Sequence, residues 1–141
     1  MLSVCIVVAC TDGTDERRTY VLTTGSTGGT FYPVGVALST LVSAQDEANF
    51  ALTAISSAGS MENIKLLRDN QAQFGLILAI FAAWAYDGEG PIRNPQRHIR
   101  GISAMWPNVE HFVLRSDLVT NGTVSDLANL GGERYSIGMR N

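Results

Sequence analysis

The feature that most constrains this chain is a strand-to-helix junction built on glycine, followed at once by a second junction of the same kind. Tyr20-Val21-Leu22-Thr23-Thr24 is a short, β-branched run that predicts a strand. It passes through Gly25-Ser26-Thr27-Gly28-Gly29-Thr30 into Val34, Ala37, Leu38, Leu41 and Val42, apolar positions at helical spacing. Pro33 stands where a first helical turn accepts it. Residues 50–55 then predict a second strand and Ser56-Ser57-Ala58-Gly59-Ser60 a second turn. Met61, Ile64 and Leu67 mark one face of a second helix, with Ser60 as its N-cap and Glu62 in its first turn, where the dipole favours an acid. Strands joined by helical crossovers pair in parallel, so the fold class is α/β, a mainly parallel sheet with helices on both faces.

Downstream, Gly75-Leu76-Ile77-Leu78-Ala79-Ile80 is apolar throughout, as a strand buried on both faces is. Residues 81–86 suit a short helix stopped by Asp87-Gly88. Residues 101–105 and 111–115 predict two more strands, with a turn at Pro107-Asn108 between them. Residues 124–130 suit a short helix ended by Gly131-Gly132, and residues 135–138 open another strand. The 141 residues fit one domain. Hydrophobic residues make up 45% and charged ones 16%, so a buried core is available and disorder is excluded. A net charge of −3 creates no field that would draw nucleic acid.

Both cysteines, Cys5 and Cys10, fall in an apolar opening stretch. That stretch is too short for a membrane span, which takes about 20 residues, and fits the end of a secretory leader. Val7-Val8-Ala9-Cys10 resembles a bacterial lipobox, which implies lipid attachment at Cys10 and a polar tether over residues 11–18. A buried N-terminal strand, and a cleaved leader ending at Cys10 without lipid, are the other readings. The expected organisation is a leader and tether over residues 1–19 and a single lobe over residues 20–141.

The first turn has chemistry of its own. A helix N-terminus offers unpaired N–H groups and a positive dipole end, and Ser26, Thr27 and Thr30 add hydroxyls. Such a place takes anions, carboxylate as well as phosphate, at the carboxyl edge of the strands where α/β ligands sit. The turn lacks the spacing of a dinucleotide fingerprint and the lysine of a P-loop. The opposing reading is a tight turn whose glycines only relieve backbone strain.

Residues 23–35 (TTGSTGGTFYPVG) resemble the first strand, loop and helix of TAXI-type solute-binding proteins of TRAP transporters, through Gly25, Ser26, Gly28, Gly29, Phe31, Tyr32 and Gly35. Gly59-Ser60-Met61-Glu62-Asn63-Ile64 is similar to a second family motif, and the likeness runs over about residues 20–138. It implies two α/β lobes closing on a ligand, with this chain supplying the first lobe and ending near the crossover to the second. It also implies a small carboxylate-bearing solute, an amino acid such as glutamate or a dicarboxylate, delivered to TRAP membrane permease subunits from the periplasm. After the third strand the family often carries a polar Ser or Asp, where this chain has Ala79-Ile80-Phe81-Ala82-Ala83.

On that resemblance the ligand-binding candidates are Gly25, Ser26, Thr27, Gly28, Gly29, Thr30, Tyr32, Ser57, Ser60, Asn63 and Trp106. Tyr32 either lays its ring on the ligand or packs at the helix start, and Asn63 either holds the loop or reaches the cleft. Trp106 either walls the cleft or packs in the core. His98 and His111 have no partner at metal spacing, so neither a metal nor a cofactor is expected. Asn121-Gly122-Thr123 is first a turn signal, though it fits the N-glycosylation pattern. A receptor needs no catalytic group and none stands out. A phosphate- or nucleotide-using enzyme with phosphate on the first turn is the alternative, and a solute sensor would use the same lobe.

Overall fold

β1 (Arg18–Thr23) is the central strand of a three-stranded parallel sheet, flanked by β2 (Phe50–Ile55) and β3 (Phe74–Gly75). This computed structural model describes residues 17–45, 47–109, 111–134 and 136. β2 pairs with β1 along its whole length, from Arg18 opposite Phe50 to Thr23 opposite Ile55. β3 pairs only at Leu22 with Phe74 and Thr23 with Gly75. The crossovers are α1 (Phe31–Ser43) and α2 (Ser60–Arg68), and α3 (Ala79–Asp87) follows β3.

Successive strand residues point to opposite faces, which sorts the helices. On the face of Leu22 and Thr24, α1 lies so close that a Cβ on Gly35 would stand 2.3 Å from Thr24 Cγ2. On the face of Thr23, a Cβ on Gly75 would meet Thr23 Cγ2 at 3.2 Å and Leu67 Cδ1 of α2 at 3.4 Å. Helices therefore cover both faces, as parallel pairing requires.

The close approach of α1 explains why its buried positions are Gly35 and Ser39. Leu41, expected on the inner stripe, is 63% exposed. Small side chains let a helix settle onto a sheet where a leucine would hold it away, and Ser39 is carried inside with its hydroxyl unbonded among the described residues. Leu22, Ile64, Ala72, Leu76 and Ala85 form the buried apolar core.

At the amino ends of the strands, Tyr20, Phe50 and Phe74 form an aromatic cluster with ring centroids 5.5 to 6.3 Å apart. β1 begins two residues before Tyr20, and Arg17 ahead of it is engaged as well. Its guanidinium donates to the carbonyls of Ser43, Gln45, Ala48 and Phe50, tying the end of α1 to the start of β2.

The sheet is smaller than the apolar patterns predict. The run 75–80 is not one strand, because the backbone leaves the ladder after Gly75 and α3 begins at Ala79. Two side chains of α2 intercept it, Asn63 at the Leu76 carbonyl and Ser60 at the Leu78 amide. Gly88, at φ 76°, ends α3 in the left-handed region that glycine favours. Residues 101–105 and 111–115 form no strand, although the outer edges of β2 and β3 are unpaired among the described residues. The helix expected at 124–130 is a 3₁₀ helix, Val124–Asn129. Of the strand expected at 135–138 only Ser136 is described, and Cys5 and Cys10 lie outside the described residues.

Candidate functional site

The three strand exits meet on one side chain. Asn63 is fully buried in the first turns of α2 and uses its whole amide. Its Oδ1 accepts from Thr23 Oγ1 at 2.7 Å and from Ser57 Oγ at 2.6 Å. Its Nδ2 donates to the carbonyls of Thr24 at 2.6 Å and Leu76 at 2.7 Å. One residue thus ties the end of β1, the β2–α2 turn and the exit of β3, with two donors and two acceptors all satisfied. These four bonds make Asn63 a side chain that holds the loops together.

Ser57 and Ser60 belong to the same frame. The Ser57 hydroxyl donates to Asn63 and accepts from the Gly59 amide at 3.0 Å, while the Ser57 amide donates to the Gly25 carbonyl at 3.0 Å. Ser60 is not the N-cap. That position is Gly59 at φ 107°, without a side-chain cap, and the Ser60 hydroxyl accepts from the Leu78 amide at 3.0 Å. The Glu62 carboxylate reaches back to the Ala58 amide, which favours an acid in this first turn for a reason beyond the dipole.

Above this frame stands the first turn. Gly25 is buried, and a Cβ there would press on Phe31 Cβ at 3.2 Å. From Ser26 to Thr30 the chain is exposed. Gly29 donates to the Ser26 carbonyl at 2.9 Å, closing the turn. The hydroxyls of Ser26, Thr27 and Thr30 make no hydrogen bond among the described residues. The amides of Thr27, Gly28, Thr30, Phe31 and Tyr32 likewise have no acceptor there. None of Gly25, Gly28 and Gly29 takes the left-handed region, so relief of backbone strain is not what their glycines supply. A Cβ on Gly28 would meet nothing within 4 Å, so this part of the turn opens outward. The arrangement presents neutral donors at a helix N-terminus, a setting suited to an anion.

Trp106 comes back to this corner from far along the chain, its ring 5.8 Å from that of Phe31, edge to face. It stands 37% exposed beside the start of α1, with one face against Phe31. Tyr32 is half-buried in the first turn of α1. Thr23 and Thr24, both fully buried, were not anticipated as part of the frame. The Thr24 hydroxyl donates to the Ile55 carbonyl at 2.7 Å, sealing β1 to β2. The readable signal is a pair of hydroxyls at the end of a strand, directly before a glycine turn, at buried positions that valines would otherwise fill.

Two open depressions lie away from this rim. One of 290 Å³ sits between α1 and β2, lined by Val36, Ser39, Leu52 and Ala54, and one of 460 Å³ is lined by Phe112, Leu114, Val124 and Asp126. Among the described residues no group of three or more His, Cys, Asp or Glu is placed to hold a metal, and no helix is long and apolar enough to cross a membrane.

A family model, that of the NMT1-like family, matches residues 22–141. The chain belongs to this family, which is of the periplasmic-binding-protein kind. Its general role is the capture of small solutes outside the cytoplasm for membrane transporters, and it is a family of binding proteins, not of enzymes.

Proposed function

We propose that this NMT1-like protein is the receptor of a TRAP-type secondary transporter, of the TAXI kind, and that it captures a small carboxylate-bearing solute at the turn formed by residues 25–30. The single observation that carries the reading is the turn itself. Three hydroxyls and the amides at the start of α1 are without partners, while the frame beneath them is fully bonded. A carboxylate of glutamate or of a dicarboxylate would accept from the Ser26, Thr27 and Thr30 hydroxyls and the neighbouring amides. Tyr32 and Trp106 would wall the site, while Asn63, Ser57 and Ser60 would hold its base. The absence of lysine from the turn favours carboxylate over nucleotide phosphate.

The turn is an open rim, and an open rim releases small ligands quickly. Tight capture calls for a second wall, so the chain from Arg17 onward would serve as one lobe of two that close on the solute. The residues before Arg17 would then be a leader and tether, with Cys10 as the site of lipid attachment, since Arg17 and β1 already belong to the lobe.

A thermal-shift screen of the full chain against amino acids, dicarboxylates and nucleotides tests the ligand class. Stabilisation by glutamate or a dicarboxylate, reduced in Ser26→Ala, is the expected result. Stabilisation by nucleotides alone would overturn it.

A further inference from the structure

Away from the rim, the fully buried Asp126 carboxylate takes three successive backbone amides, and it closes on the one Asn-Gly pair in the sequence. We propose that Asp126 latches the Asn121–Gly122 pair, making Asn121 a deamidation site that is held closed in the folded chain and opens when the turn is released.

The chemistry needs only water. The Gly122 backbone nitrogen gives up its proton and attacks Asn121 Cγ. The new N–Cγ bond closes a five-membered succinimide, the Cγ–Nδ2 bond breaks, and the side-chain nitrogen leaves as ammonia carrying the transferred proton. Water then opens the ring at one carbonyl or the other, giving aspartate or isoaspartate. Glycine in the second position offers no side chain to hinder the attack, and Asn121 is exposed to the water that the last step consumes.

Every atom that must move is held. Gly122 N–H, the nucleophile, donates to Asp126 Oδ2 at 2.9 Å. Asn121 Nδ2, the leaving nitrogen, donates to Ser125 Oγ at 2.9 Å. Asn121 Oδ1 accepts from the Thr123 amide at 2.9 Å and the Thr123 hydroxyl at 2.6 Å. Asp126 is itself fully buried and also takes the amides of Thr120 and Asn121, each at 3.2 Å.

Two effects oppose each other here. The Thr123 donors draw electrons from the Asn121 carbonyl and by themselves would favour attack. The carboxylate acts on the earlier requirement, because the nitrogen must become negative before it can attack. A fixed negative charge at hydrogen-bond distance, on a side chain that is fully buried, resists that ionisation directly. The carboxylate term governs, and the folded turn is protected.

The test follows deamidation at position 121 by site-resolved peptide mapping of the full chain in mildly alkaline buffer, reading conversion to acid and isoaspartate. Mapping separates this site from Asp12-Gly13 and Asp87-Gly88, which also yield isoaspartate. The folded chain is expected to react about tenfold or more slowly than the same chain in urea, the factor one charge-assisted hydrogen bond can supply. Asp126→Asn is expected to bring the folded rate close to the urea rate. Thr123→Val removes the hydroxyl donor to Asn121 and the acceptor of the Ser125 amide but keeps the carboxylate, and is expected to stay within about twofold of the parent. Equal rates in the folded and urea-treated parent would overturn the proposal. So would an Asp126→Asn chain that folds and stays slow, or a Thr123→Val chain that reacts as fast as Asp126→Asn. Should Asp126→Asn not fold, the folded-against-urea comparison and Thr123→Val still decide.

Discussion

Residues 17–87 and residues 101–134 both carry apolar runs that read as strands, yet they differ sharply in how their backbone is satisfied. In the first region three strands, three helices and a buried asparagine account for one another. In the second, residues 101–109 and 111–113 are exposed, with Ile102 at 80%, Phe112 at 65% and Val113 at 91%, and regular structure among the described residues is limited to two short 3₁₀ segments. The apolar pattern is present in both. In the first region each strand lies in a ladder with a partner, whereas residues 101–109 and 111–115 join no ladder among the described residues, and a strand alone cannot pay its ordering entropy. Patterning proposes a strand, and a pairing edge makes it one.

The sharpest way to break this contrast is to remove the side chain that joins the three strand exits. Asn63→Ala leaves the Thr24 and Leu76 carbonyls and the Thr23 and Ser57 hydroxyls without their partner in a buried place. The expected loss is about 3–5 kcal/mol, read from denaturant unfolding. A loss under about 1 kcal/mol would mean that the frame does not depend on it.

Next comes the approach of α1 to the sheet. Gly35→Ala places a methyl 2.3 Å from Thr24 Cγ2 and is expected to cost about 1–3 kcal/mol through overpacking. Gly28→Ala, where nothing stands within 4 Å, is expected to change stability by less than about 0.5 kcal/mol. The pair separates a glycine needed by the fold from one left over for the rim. Smaller again is Val113→Ser in the exposed stretch, expected within about 0.5 kcal/mol by the same unfolding measurement. A large loss there would show that this stretch carries packing beyond the contact of Trp106 with Phe31.

The smallest effect concerns acid. The Arg68 guanidinium donates to Asp69 at 2.7 and 2.9 Å, and this hydrogen bonding, more than the charge itself, holds the Asp69 carboxyl below its usual range. A lowered folded pKa contributes stability above the unfolded value and loses it as pH falls through the folded one. The pair is exposed, so Asp69→Asn is expected to flatten the acid limb of the stability curve only slightly.

Much of this was legible in the residues. The alternation of β-branched runs with helical spacing gave parallel pairing, and Gly25, Gly28 and Gly29 marked the turn that opens outward. The run 75–80 misled because side chains of α2, distant in sequence, capture its backbone. The inner face of α1 misled because a helix that approaches closely buries Gly35 and Ser39 in place of Leu41. Asn63 was singled out by its motif, but its bonds to three separate loops exist only once the crossovers are made.

The most direct test of the central claim is amide-resolved NMR of the full chain titrated with glutamate and with succinate. Saturable shifts at residues 26–30 and in the first turn of α1, absent from residues 112–127 and weakened in Gly28→Ala, are the predicted result. Shifts centred on residues 112–127, or a turn that ignores every carboxylate and answers only to nucleotides, would contradict it.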